Sequence, residues 1–212
     1  MPISAKESLK KLNSEILSCQ KCKDLAKLRK TSVPGTGAPK ANIIIVSDFP
    51  HKDGAEKKGV PFTGDQSGKF IMDILKQAKL SLAKDTYITY LVKCTPRKVI
   101  EEKGSKKVKE EKKPAAVHVA NCISYLTQEI SISTPHIIVS LGLEVSNTLL
   151  QNFFSVEKKF TSIEKIHMRV FENPSFKLVP FFSPHDVVVE KIISEEKYVE
   201  DFNSLAKVLK IV

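Results

Sequence analysis

No stretch of this chain is apolar for long enough to cross a membrane. The longest uncharged apolar runs, such as Asn42 to Ser47 and Ile137 to Leu143, have the length of a strand. The amino terminus is amphipathic and Lys-rich and lacks the apolar core of a signal peptide. The expectation is therefore a soluble, cytoplasmic or nucleoid-associated protein with no membrane partner. Cysteine is scarce: four in 212 residues are too few for a disulfide scaffold of this size. No internal repeat is evident. Acidic residues are in deficit, 24 against 34 Lys and Arg, which leaves a formal charge of +10. A basic surface of this kind favours polyanions, nucleic acid first, although solvated Lys-rich faces alone would give the same balance.

What the chain does have is enough apolar residue, 42%, to bury a substantial core. The simplest organisation is one domain over residues 1–212, a monomer, with a charged insertion at about 97–113. That insertion, RKVIEEKGSKKVKEEKK, carries eight basic and four acidic residues and reads as a solvated or disordered loop.

Strand and helix patterns alternate along the chain. Residues 4 to 18 form an amphipathic helix with Ser4 and Glu7 at capping-box spacing and Leu9, Leu12, Ile16 and Leu17 on one face. Pro34-Gly35-Thr36-Gly37 marks a turn, followed by a strand over Asn42 to Asp48. A helix over Gly68 to Ala78, a strand over Thr86 to Lys93 and a helix from about Ala115 to Ile130 come next. A strand over His136 to Leu141, a helix over 143 to 154, a strand over Leu178 to Phe182 and a helix over Tyr198 to Leu209 complete the pattern, with 160 to 172 ambiguous. The fold class expected is α/β, three-layer α/β/α, around a central, mainly parallel four-stranded sheet. In such sheets ligands bind outside the carboxyl ends of the strands, which directs attention to Asp48 to Gly68.

Cys19 and Cys22 form a C-x-x-C pair after the first helix, whereas Cys94 ends a strand and Cys122 lies in a later helix. A site using all four is assembled by the tertiary fold. On spacing alone an iron-sulfur cluster and zinc stand nearly even, with unrelated buried thiols a third option.

Several pieces in order carry a more specific signal: C-x-x-C at Cys19 to Cys22, then P-G-T-G, the strand IIIV, G-V-P-F-T-G-D-Q-S-G, YITYLVKCTP, ANCISYL and PHIIVSLG. Together, over about Cys19 to Pro184, the chain resembles the iron-sulfur branch, family four, of the uracil-DNA glycosylase superfamily. The resemblance implies a [4Fe-4S] cluster on Cys19, Cys22, Cys94 and Cys122, ahead of zinc. It implies a DNA partner, single- or double-stranded, holding a damaged base. The implied activity is hydrolysis of the N-glycosidic bond of uracil or another deaminated base after the nucleotide leaves the stack. Such chemistry needs a carboxylate to position water and stabilise the cationic sugar, an aromatic face for the base, and donors for the charge on the departing base. By resemblance Asp48 is the carboxylate and Phe62 the stacking face. Pro50, Gly64, Ser67 and Gly68 shape the base site, where the glycines at 59, 64 and 68 let backbone approach base and phosphate.

Three motifs depart from the family pattern. Where the family reads G-E-A-P-G, this chain has Ser47-Asp48-Phe49-Pro50-His51, a shorter carboxylate among bulkier neighbours. Where the family has an Asn to read the base edge, Tyr90 stands, which lacks the amide's paired donor and acceptor. The family's His-Pro-Ser is here Ser183-Pro184-His185, so that Ser183 and His185 are the candidate catalytic donors, and Val187 to Val189 is either a wedge for the base stack or a core-facing end. These departures motivate an alternative reading, a catalytically impaired member that binds DNA or a repair partner. A third reading is a zinc-stabilised α/β protein with no role on DNA.

Overall fold

The computed structural model describes residues 3–100 and 108–209. In chain order the elements are α1 (Ala5–Leu17), α2 (Lys23–Leu28), β1 (Thr36–Gly37), β2 (Ile43–Ser47), α3 (Ala55–Lys58), α4 (Gln66–Gln77), β3 (Thr86–Tyr90), β4 (Arg97–Ile100), β5 (Val108–Glu111), α5 (Ala116–Ser133), β6 (Ile137–Leu141), α6 (Leu143–Phe153), β7 (Phe171–Glu172), β8 (Lys177–Phe181), α7 (Pro184–Val188) and α8 (Glu195–Leu209).

The apolar strands make the centre. β3, β2, β6 and β8 lie side by side, all parallel, with Ser47 beside Tyr90 and Leu141 beside Phe181 at their carboxyl ends. The sheet has six strands, not four, in the order β1-β3-β2-β6-β8-β7. The two additions are antiparallel edge strands of two residues each, too short for any period to announce them. β1 is the Thr36-Gly37 part of the expected turn; Gly37 sits at φ 137°, and a Cβ there would lie 2.3 Å from the Thr86 carbonyl oxygen. Only glycine lets the two strands pair so closely.

Alternation along β2 divides the core. Ile43 and Ile45 face one side, with Ile71, Ile74, Phe181, Tyr198 and Phe202; Ile44 and Val46 face the other, with Leu9, Leu12, Ile16, Leu126 and Leu149. Helices α4, α7 and α8 therefore cover one face and α1, α5 and α6 the other, the three layers expected of buried parallel strands. The capping box forms as anticipated, Ser4 Oγ accepting from Glu7 N–H while Glu7 accepts from Ser4 N–H. Leu17 does not join its face; it is 52% exposed. On α8, Tyr198, Phe202 and Leu205 are buried, and the Leu209 side chain lies outside the described residues. Among the described residues no helix is long and apolar enough to cross a membrane.

The charged segment differs from the loop expected of it. Its described parts, β4 and β5, form an antiparallel hairpin in which Arg97 faces Glu111 and Lys98 faces Glu110, with the Lys98 and Glu110 side chains paired at 2.8 Å. Opposite charges placed across two strands hold together what composition alone would leave solvated. The intervening residues 101–107 lie outside the description.

Candidate active site

The carboxyl end of β2 runs straight into Asp48. Main-chain bonds from Leu91 and Val92 N–H to the Ser47 and Asp48 carbonyls, at 2.7 and 2.8 Å, continue the β2–β3 pairing past the strand ends and fix the Asp48 backbone. Asp48 is partly accessible. Its Oδ1 accepts from Phe49 N–H at 2.8 Å and from the Ser47 hydroxyl at 3.2 Å, and among the described residues nothing donates to Oδ2. Burial pushes the Asp48 carboxyl above the usual carboxylate range, against those two hydrogen bonds and the positive field of His51. Pro50 is buried behind it, its carbonyl accepting from the Thr95 hydroxyl at 2.5 Å.

The Gly-rich corner is built for close approach. Gly64 takes φ 85°, Asp65 caps α4 by accepting from Gly68 N–H at 2.7 Å, and a Cβ on Gly68 would stand 2.5 Å from the Phe62 carbonyl carbon. Phe62 itself adopts φ 53°, a left-handed backbone that costs a non-glycine residue about 1–2 kcal/mol. Phe62 is buried, and its N–H donates to the Tyr90 hydroxyl at 3.0 Å while the two rings lie 5.2 Å apart, tilted by 32°. Burial raises the Tyr90 hydroxyl well above its ordinary range, aided by the nearby Asp65 and Asp48 carboxylates, so it stays neutral. Ser67 is half-buried in the first turn of α4.

At the end of β8, Ser183 is the N-cap of α7: its Oγ accepts from Asp186 N–H at 3.2 Å, and its own N–H donates to Asp186 at 2.9 Å. His185 points outward, 48% exposed, with Glu190 3.8 Å from its Nδ1. Val187 and Val188 are buried in the core and only Val189 is exposed, so the run is mainly core-facing.

One partnership was not legible in the chain. His51 Nδ1 lies 2.8 Å from Glu111 of β5, and Lys52 N–H donates to the other Glu111 oxygen. That hydrogen bond raises the His51 pKa, with Asp48 and Asp65 adding to it. The hairpin is fastened at its other strand by Arg97, which pairs with the buried Glu56 and donates to the Leu28 carbonyl at 2.8 Å. No local pattern could link residues sixty positions apart.

The four cysteines come together from three places. Cys19 and Cys22 between α1 and α2, Cys94 beyond β3 and Cys122 in α5 line one enclosed cavity with Leu25, Val92 and Tyr125. Three sulfurs accept N–H groups: Cys94 from Arg29 at 3.1 Å, Cys122 from Lys93 N–H at 3.3 Å and Cys22 from Asn121 at 3.4 Å. Donors aimed at sulfur suit thiolates that carry negative charge. Without a partner, burial pushes the Cys94 thiol up and the Cys122 thiol to about 11. Among the described residues no three His, Cys, Asp or Glu side chains converge on a single-ion site. A separate cleft of about 700 Å³ between α4 and α8 is lined by Asp73, Glu195, Glu196 and Glu200, carboxylates that would repel a polyanion.

A sheet with a parallel centre covered by helices on both faces, with Asp48 and a Gly-rich helix start beyond its carboxyl ends, is of the doubly wound α/β class, in which ligands bind outside the carboxyl ends of the strands. The chain belongs to the uracil DNA glycosylase superfamily, whose family model matches residues 34–207. It is 31% identical over 205 residues to the type-4 uracil-DNA glycosylase of Archaeoglobus fulgidus, covering 95% of this chain and 93% of that one. It is 34% identical over 161 residues to the type-4 uracil-DNA glycosylase of Sulfurisphaera tokodaii, covering 76% and 64% of the two chains. Among solved structures, wild-type SMUG2 of Pedobacter heparinus shares the fold with a TM-score of 0.62 at 15% identity, over 82% of this chain and 77% of that one.

Proposed function

We propose that the chain is a DNA glycosylase of base excision repair, hydrolysing the N-glycosidic bond of uracil or another deaminated base in single- or double-stranded DNA. The observation that carries this reading is that Tyr90 lies beside Ser47, the neighbour of Asp48, and accepts the N–H of the strained Phe62, in a chain of this superfamily whose Asp48 has one carboxylate oxygen without a protein donor among the described residues. In the reaction the C1′–N bond breaks, the electron pair leaves with the base, and the sugar becomes cationic. Asp48 stabilises that cation and holds a water through Oδ2 for attack on C1′, so that the products are free base and an abasic sugar. Phe62 bears the flipped base. Ser183 keeps its hydroxyl proton free to donate, because its cap bond uses only an oxygen lone pair. His185, exposed beside it, would contact a DNA phosphate.

Cys19, Cys22, Cys94 and Cys122 would hold a [4Fe-4S] cluster; the likeness to type-4 uracil-DNA glycosylases, four cysteines lining one cavity and the N–H groups donated to three of their sulfurs support this reading. When bound, the cluster would cross-link the α1–α2 connection, the end of β3 and α5. The protein acts as a monomer in a single domain inside the cell.

The test is a panel of oligonucleotides carrying uracil, hypoxanthine or xanthine, single-stranded and duplex, scored for alkali-labile sites. The reading expects strand breakage at one or more of these bases. No breakage on any of them by iron-replete protein would overturn it.

A further inference from the structure

Tyr90 closes β3 on the same face as Ile88 and packs in one cluster with Phe62. Its ring centroid is 5.2 Å from that of Phe62 at a tilt of 32°, within the 4.5–7 Å range at which aromatic rings associate. A base stacked on Phe62 from that side would occupy the same space. The Tyr90 hydroxyl also accepts the Phe62 N–H, so that this main-chain donor of the corner is already engaged. Tyr90 and Phe62 are 3% and 5% exposed, so the stacking face is covered. One hydrogen bond holds the phenol at its tip; among the described residues no acceptor takes the Tyr90 O–H proton.

We propose that Tyr90 is a plug in the base pocket and the residue that determines which bases enter: a flipped base takes the Phe62 face only when the phenol swings out and releases the Phe62 N–H. This rests on the glycosylase reading of the same site. A protein whose competent form is a minor population binds its ligand more weakly in proportion to that population. Removing the ring removes that penalty.

The test compares the parent with Tyr90→Asn, Tyr90→Ala and Tyr90→Phe, all iron-replete and checked for cooperative thermal unfolding. Binding is measured to a strand carrying 2′-fluoro-2′-deoxyuridine, whose glycosidic bond resists hydrolysis, and to the same strand with thymidine. Tyr90→Asn and Tyr90→Ala open the space, and each tightens binding to the uracil strand about tenfold or more, as expected for a competent population of about a tenth or less. Tyr90→Phe keeps the ring and stays close to the parent. Equal or weaker uracil binding in both opened variants overturns the plug, and base release by the parent in that case leaves the glycosylase reading standing. A binding gain in the opened variants with no base release by any of the four proteins supports the plug and overturns the glycosylase reading.

Discussion

The proposed reaction needs a charged Asp48 in surroundings that disfavour charge. Burial raises its pKa, and the Phe49 N–H, the His51 field and the Ser47 hydroxyl only partly offset it. Because the folded state holds the proton more tightly than the unfolded chain, Asp48 contributes less to stability as pH rises from the unfolded value toward the raised one. Activity should run the other way: in the proposed reaction the carboxylate is the working form, so the acid limb of kcat/KM should lie above the ordinary carboxylate range. His51→Asn removes a positive neighbour that favours the carboxylate, and the acid limb moves to still higher pH. A pH–rate profile of the two proteins on one substrate checks this, and a limb unmoved by the change contradicts it. The strand end at Asp48 and the Gly-rich corner at Phe62 were legible from short motifs because both are local features. The Tyr90 ring over Phe62 could not, since it depends on the β2–β3 register and on a left-handed backbone at Phe62.

At the scale of elements, β3 is pinned to α5 by a buried ion pair. Lys93 Nζ lies 2.7 Å from Glu129 Oε2, both nearly inaccessible, and also donates to Thr89 Oγ1 and to the Tyr90 carbonyl. Glu129 further accepts from Tyr87, Thr89 and Gly35 N–H. Every polar atom in the network has a partner, so breaking one side leaves a desolvated charge. Glu129→Leu should cost about 3–5 kcal/mol. At about 2–4 °C per kcal/mol for a chain of this size, thermal unfolding falls by about 6–20 °C. Adding Lys93→Met to Glu129→Leu should recover part of that loss, since no charge is then stranded; calorimetry on the three proteins decides it. The helices and long strands were legible because their apolar periods are strong. The β4–β5 hairpin was not: its stability comes from cross-strand charge pairs and from the anchors of Glu111 on His51 and of Arg97 on Glu56, all distant in sequence.

Across the whole molecule, the cysteine cavity lies between the amino-terminal helices, the end of β3 and α5, next to the Lys93 network. Protein purified without oxygen should contain iron and sulfide and absorb visible light, and Cys122→Ala should lower both the iron content and the unfolding temperature. Zinc in place of iron and sulfide would contradict the cluster assignment. The spacing of the cysteines left that choice open, because Cys94 and Cys122 join the C-x-x-C pair only through the packing of α5 against α1 and the turn beyond β3. Three layers around a parallel centre followed from the alternation of strand and helix patterns along the chain, whereas the two edge strands depended on partners rather than on their own residues.

The role proposed for Asp48 is to drive release of a base held on Phe62. Its most direct measurement is the single-turnover rate of uracil release from an oligonucleotide by the parent and by Asp48→Ala, both iron-replete. The parent should release uracil, and the variant should be slower by about a hundredfold to ten-thousandfold, the usual contribution of a positioned base. Release by Asp48→Ala at the parent's rate would contradict the account.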